Sequence, residues 1–162
     1  MWIKNEKIKA VLAALAIPAR VYMGIVFIAA SLFKIYEPYQ FALSVATYQI
    51  LPLELINVQT LVLPWLELFV GILLILGVWT KENAFLICGM MVMFIVALSI
   101  ALSHDLQMSC GCFASQEAAD EIGMHTVFRD LGWLAIGAYI FFFDDGRFGL
   151  DRFLNRKRRA NA

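Results

Sequence analysis

Four long apolar runs organise the chain, at about 19–36, 60–79, 84–102 and 126–143. Each is within the roughly 17–25 residues that a helix needs to cross a hydrocarbon core. Polar punctuation separates them. Glu37-Pro38 ends the first run, because the residue before a proline disfavours helix. Thr80-Lys81-Glu82-Asn83 is a tight polar turn between the second and third runs, with Thr80 or Asn83 placed to cap the next helix. The longest polar interval runs from His104 to His125, before the fourth run.

Two shorter segments read as helices at the membrane surface. Residues 1–17 carry Lys4, Lys7 and Lys9 and then the apolar stretch Ala10 to Ile17. A basic start before a short apolar stretch imitates a signal peptide, but the apolar character continues past Pro18 to Tyr36. The segment therefore reads as a helix lying on, or entering from, the cytoplasmic surface, with Pro18 as a boundary. Residues 39–58 mix tyrosines with small polar residues, which suits a short interfacial helix.

The pattern predicts an all-α integral membrane four-helix bundle, one membrane domain over 1–162. Composition agrees: 62% of the 162 residues are hydrophobic and 16% charged. Soluble domains average about 45–50% apolar and about 25% charged. Thirteen basic and thirteen acidic residues cancel, so net charge points to no nucleic-acid partner. Their placement is more informative. Lys4, Lys7, Lys9, Lys81 and the six basic residues of the 147–162 tail fall on one side of a four-span chain. The intervals 37–59 and 103–125 contain no Lys or Arg. The positive-inside rule then predicts a bacterial inner-membrane protein with both termini cytoplasmic and the 103–125 loop external. The tail reads as a topology anchor attracted to anionic lipid.

That external loop carries Ser109-Cys110-Gly111-Cys112-Phe113. An oxidising compartment permits disulfides. A Cys-Gly-Cys disulfide closes a very small ring and needs a sharp bend that glycine makes cheaper. Such a bond is strained, easily reduced and oxidising toward other thiols, which fits an exchange catalyst. Two other readings stay open. One is a structural or incidental pair. The other is a soft-metal site such as Cu(I), using Met108, Cys110 and Cys112 with His104 or His125. No zinc-type cysteine set, nucleotide-binding glycine loop or hydrolase motif occurs. The remaining cysteine, Cys88, lies deep in the third run and reads as a small apolar packing residue.

Ionisable groups within membrane runs are functional candidates: Lys34 ending the first run, Glu67 within the second and Arg129-Asp130 opening the fourth. Lys34 or Arg129 near the thiols would stabilise a thiolate. Glu67 would accept or pass a proton, as coupling thiol oxidation to a membrane quinone requires. The competing reading is a buried Glu67–Lys34 or Glu67–Arg129 salt bridge that locks helices. Arg20 reads as an anchor or a partner for lipid phosphate, and Arg20 and Lys34 both read as side chains snorkelling to opposite faces.

Three stretches together resemble the MauE/DoxX group of small four-span membrane proteins. They are Arg20-Val-Tyr-Met-Gly24 running to Ser31-Leu-Phe-Lys34; Leu51-Pro52 with Pro64-Trp-Leu-Glu67-Leu-Phe-Val-Gly71 and Leu74-Ile-Leu-Gly77; and Ser109-Cys110-Gly111-Cys112-Phe113. They span most of residues 20–143, and the cysteine motif is similar to the MauE branch, with Ala114 where that branch often has glycine. The resemblance implies disulfide formation or maturation of exported proteins beside a thioredoxin-like partner or other exported thiol protein. It also implies an analogy to quinone-linked oxidoreductases of the vitamin K epoxide reductase type. Those usually carry two cysteine pairs, whereas this chain has one.

Overall fold

The computed structural model describes residues 6–47, 52–103, 124–144 and 149–150. Regular structure there is entirely α-helical: α1 (Glu6–Tyr36), α2 (Pro38–Thr47), α3 (Leu53–Leu76), α4 (Thr80–Ser103) and α5 (Met124–Phe143). Four of these, α1, α3, α4 and α5, are long and apolar enough to cross a membrane. Two close pairs, α1 with α3 and α4 with α5, build the bundle. Contacts of α1 with α5 and of α3 with α4 join the pairs, and α2 packs on α3.

The helices match the four predicted runs, with differences of extent that have local causes. The segment 1–17 and the first span form one helix from Glu6 onward, not two elements meeting at Pro18. Proline lacks the N–H that an interior helical position uses, yet helices in a packed bundle tolerate it because neighbours satisfy the freed groups. Here Ala13 and Ala16 are buried, and the Tyr139 hydroxyl of α5 donates to the Leu12 carbonyl over 2.8 Å, so α5 holds the helix turns before Pro18 in the bundle. The interfacial helix expected over 39–58 is the ten-residue α2, which buries Phe41 and Val45. Residues 48–51 lie outside the described set. Pro52 then precedes α3, which starts seven residues before the expected Thr60 and carries Pro64 in its interior.

The α3–α4 turn lies at residues 77–79, earlier than expected, and Thr80-Lys81-Glu82-Asn83 form the first turn of α4 rather than the turn itself. α3 stops at Leu76 because Gly77 adopts the left-handed conformation, φ 68°. Gly77 N–H donates to the Leu74 carbonyl and Val78 N–H to the Leu73 carbonyl, the paired bonds of a Schellman ending. Asn83 does not cap through its oxygen. Its amide donates back to the Val78 carbonyl over 2.7 Å.

Lipid tails are as apolar as leucine, so close backbone packing, rather than release of apolar surface from water, favours helix association in a bilayer. The α1–α3 contact shows how. Gly24 and Gly71 face each other so closely that a Cβ on Gly24 would lie 2.8 Å from the Gly71 carbonyl oxygen. A Cβ on Gly71 would lie 3.0 Å from the Gly24 carbonyl oxygen. Met23, Phe27, Val70 and Leu74 fill the core around this crossing. Large apolar side chains such as Leu61, Phe69, Phe85 and Phe128 point outward, as lipid contact requires.

Replacing Gly71 with leucine should force α1 and α3 apart at this crossing. The expected cost is about 1–3 kcal/mol, read as a lower unfolding midpoint in bilayer nanodiscs. An unchanged midpoint would mean that the two helices do not meet at these glycines.

Candidate functional site

The bundle interior holds charge at two levels. At the first, Lys34 near the end of α1 is 2% exposed and sits against Glu67 of α3, also 2% exposed. Lys34 Nζ donates to both Glu67 carboxylate oxygens over 2.7 Å. Helical side chains lean toward their own N-terminus, so the long Lys34 chain runs back along α1 to meet Glu67. Its ammonium lies 5.2 Å from the Phe41 ring centroid and 4.9 Å from that of Phe94. Cation–π attraction adds to the ion pair there. Ser31, fully buried one turn before Lys34, closes its hydroxyl on the Ile28 carbonyl over 2.7 Å.

The opening of α5 supplies the second half of this level. Arg129 Nε donates to Asp130 Oδ1 over 3.1 Å, and Arg129 Nη2 lies 3.1 Å from the same oxygen. Asp130 is buried, whereas the Arg129 side chain is 35% exposed. The Arg129 guanidinium stacks 4.7 Å from the Trp133 ring, and Trp133 Nε1 donates to the Tyr22 hydroxyl over 3.1 Å. Lys34, Glu67 and Asp130 all line one cleft, walled by Phe27, Met91, Phe94 and Trp133. Its cavity volume is about 30 Å³.

The second level lies at the opposite end of the bundle. Arg20 Nη1 donates to Asp144 Oδ2 over 3.3 Å, both side chains being buried. The same guanidinium nitrogen packs against Gly77, 2.9 Å from where a Cβ would stand. The carbonyl end of α3 is therefore close to a fixed positive charge, the favourable sense of the helix dipole.

These contacts settle several expectations. Of the two bridges weighed for Glu67, the one to Lys34 forms. Arg129 instead bonds its own neighbour, Asp130. Arg20 is a buried interhelical partner of Asp144, not a lipid-phosphate ligand at the surface, and Lys34 likewise does not snorkel outward. Both corrections have one cause: a carboxylate on a facing helix offers an ion pair without the cost of carrying a long side chain to the interface. Cys88 is half-buried, and its sulfur would stand 3.1 Å from a Cβ on Gly137 of α5, so it packs where α4 meets α5. Cys110, Cys112, Met108 and His104 lie outside the described residues, as does the tail from Asp151. Among the described residues no cluster of three or more His, Cys, Asp or Glu is arranged to hold a metal.

The chain matches the family described as Methylamine utilisation protein MauE over residues 9–143. It belongs to the MauE family. The Methylamine utilization protein MauE of Methylophilus methylotrophus is 27% identical over 123 residues, which is 75% of this chain and 65% of that protein. The chain thus spans slightly less than two thirds of that MauE protein's length. No solved structure matches it. The family match covers all four long apolar helices except the start of α1, so this MauE-family chain is a membrane protein by both composition and family.

Leaving Glu67 buried without its cation should be far worse than removing the pair. Lys34→Met is expected to cost about 3–5 kcal/mol, and Lys34→Met combined with Glu67→Leu should recover most of that loss. A double-mutant cycle on unfolding in nanodiscs reads the difference. Strictly additive losses would contradict the bridge.

Proposed function

We propose that this MauE-family protein is a membrane accessory component of methylamine utilisation that exchanges disulfides on exported proteins through Cys110 and Cys112. In this reading both termini are cytoplasmic and the cysteine loop faces outward across the bacterial inner membrane. The charge pattern supports that orientation, since the intervals 37–59 and 103–125 carry no Lys or Arg. The name of the Methylophilus relative supports the pathway.

The observation that carries the proposal is the position of the charged cleft. Residues 104–123, which contain both cysteines, connect Ser103 at the end of α4 to Met124 at the start of α5. Asp130 is six residues into α5, about 9 Å along the helix at 1.5 Å per residue. The loop is therefore tethered at the bundle end under which Arg129, Asp130, Lys34 and Glu67 converge. A partly exposed guanidinium at that end favours thiolate over thiol in a nearby cysteine.

In the proposed exchange, a thiolate of an exported partner attacks one sulfur of the Cys110–Cys112 disulfide. A mixed disulfide forms, and the other cysteine leaves as a thiolate that takes up a proton. The partner's second thiolate then attacks the mixed disulfide, releasing the oxidised partner and the reduced cysteine pair. A disulfide on a thioredoxin-like protein accepts the two electrons and restores Cys110–Cys112 by the same steps in reverse. A lipid-soluble quinone is the alternative acceptor of the same two electrons.

Cys110→Ser and Cys112→Ser variants test the reading in cells of the native host. One of them should accumulate a reductant-cleavable adduct with an exported protein, and a membrane-impermeant maleimide should reach the cysteine left in place. The Cys88→Ser variant should behave as the unaltered chain. Partner maturation that persists when both loop cysteines are serine would overturn the proposal in favour of a docking or assembly role.

A further inference from the structure

The chain that follows α5 is fastened twice at one end of the bundle. Asp144, the residue after α5, is buried in its ion pair with Arg20. Further on, Gly149 lies against Gly77 of the α3–α4 turn. A Cβ on Gly149 would overlap the Gly77 carbonyl oxygen, and one on Gly77 would stand 2.6 Å from Gly149 Cα. Two backbones approach this closely only where neither residue carries a side chain. The same Gly77 packs against the Arg20 guanidinium, so both fastenings share one centre.

The groups around this centre suit a bilayer surface. Trp79, two residues after Gly77, is 64% exposed, and Leu150, next to Gly149, is 43% exposed. An exposed tryptophan at the end of a spanning helix fits the headgroup level. Lys81 is exposed in the first turn of α4. Arg152 follows Gly149 by three residues, which keeps its Cα within about 11 Å of that glycine. Residues 147–162 carry six basic side chains against one acidic, Asp151. Glu82 beside Lys81 offsets part of this charge and leaves the excess positive.

We propose that this end of the bundle is a binding surface for anionic phospholipid headgroups, in which the Gly77–Gly149 contact joins the basic tail to Trp79 and Lys81. A tail that is merely tethered meets anionic lipid equally well in the folded and the unfolded chain, and equal binding shifts no equilibrium. Fastened at Gly149, the start of the tail and Lys81 act on the same headgroups only when α3, α4 and α5 are assembled. Anionic lipid therefore binds the folded chain more tightly and stabilises it by linkage. The inference is independent of the cysteine chemistry, since none of its residues lies within 104–123.

Thermal unfolding of the full chain tests this in nanodiscs of phosphatidylcholine alone and of an equal mixture with phosphatidylglycerol. The midpoint should rise by about 2–4 °C or more in the mixture, the response of a chain this size to the attraction of one or a few basic residues near an anionic surface. Added salt should shrink that rise, because it screens exposed charges. Equal midpoints in the two lipids, or a rise that salt leaves untouched, would overturn the proposal. Gly149→Leu should lose the rise, and a folded Gly149→Leu protein that keeps it in full would also overturn the proposal. Lys81→Gln combined with Arg152→Gln leaves both glycines in place and serves if Gly149→Leu does not fold. That variant should show a smaller rise, and a full rise would contradict the joined surface.

Discussion

The Lys34–Glu67 ion pair constrains the rest of the bundle. It joins α1 to α3 through two side chains that are each 2% exposed, so each buried charge depends on the other as its partner. Backbone proximity at Gly24 and Gly71 brings the helices close enough for that meeting. The pair in turn draws α2 and α4 inward, because Phe41 and Phe94 flank the ammonium. Asp130 brings α5 to the same place. One polar cluster therefore sets the packing of five helices whose outward surfaces are apolar and nearly featureless.

Breaking a buried pair is costly even when replacing the whole pair by apolar groups is not. A bundle built only for stability has no need of two ion pairs in its core. Their location matters more than their strength. Lys34, Glu67, Asp130 and Arg129 gather beneath the helix ends that tether residues 104–123. Arg20 and Asp144 fasten the other end, beside the Gly77 turn. The second cluster has the features of a latch: fully buried, paired and close to a helix terminus. The first has a cavity and a partly exposed guanidinium, which are features of a place where chemistry or solvent enters.

Much of this fold was legible as apolar run length. The four long helices and the break at Glu37-Pro38 follow from residue pattern alone, whereas the polar turn expected at Thr80–Asn83 is the first turn of α4 and the break falls at Gly77. Pro18 misled, because a proline reads locally as a boundary while the bundle around α1 supports a continuous helix through it. Hydropathy likewise hid the true start of α3, since Glu54, Asn57, Gln59 and Thr60 dilute the apolar signal over its first turns. For the site, Lys34 and Glu67 stood out as charges inside apolar runs, and their bridge was one of two weighed. Asp144 was passed over: it sits beside another charged residue, Asp145, and one-dimensional reading credits such neighbours to a solvated end. Only the three-dimensional packing assigns Asp144 to Arg20, 124 positions away. The thiol pair is legible as chemistry but falls outside the described residues.

The most direct test is a dipolar-coupling measurement by solid-state NMR, with ¹⁵N on lysine side chains and ¹³C on glutamate carboxyls, in native-like bilayers. The Lys34 ammonium should show strong coupling to the Glu67 carboxyl carbon, and Glu67→Gln should weaken it. A Lys34 ammonium that couples to lipid phosphorus instead, with none to Glu67, would contradict the interior charge cluster on which the structure and its proposed chemistry rest.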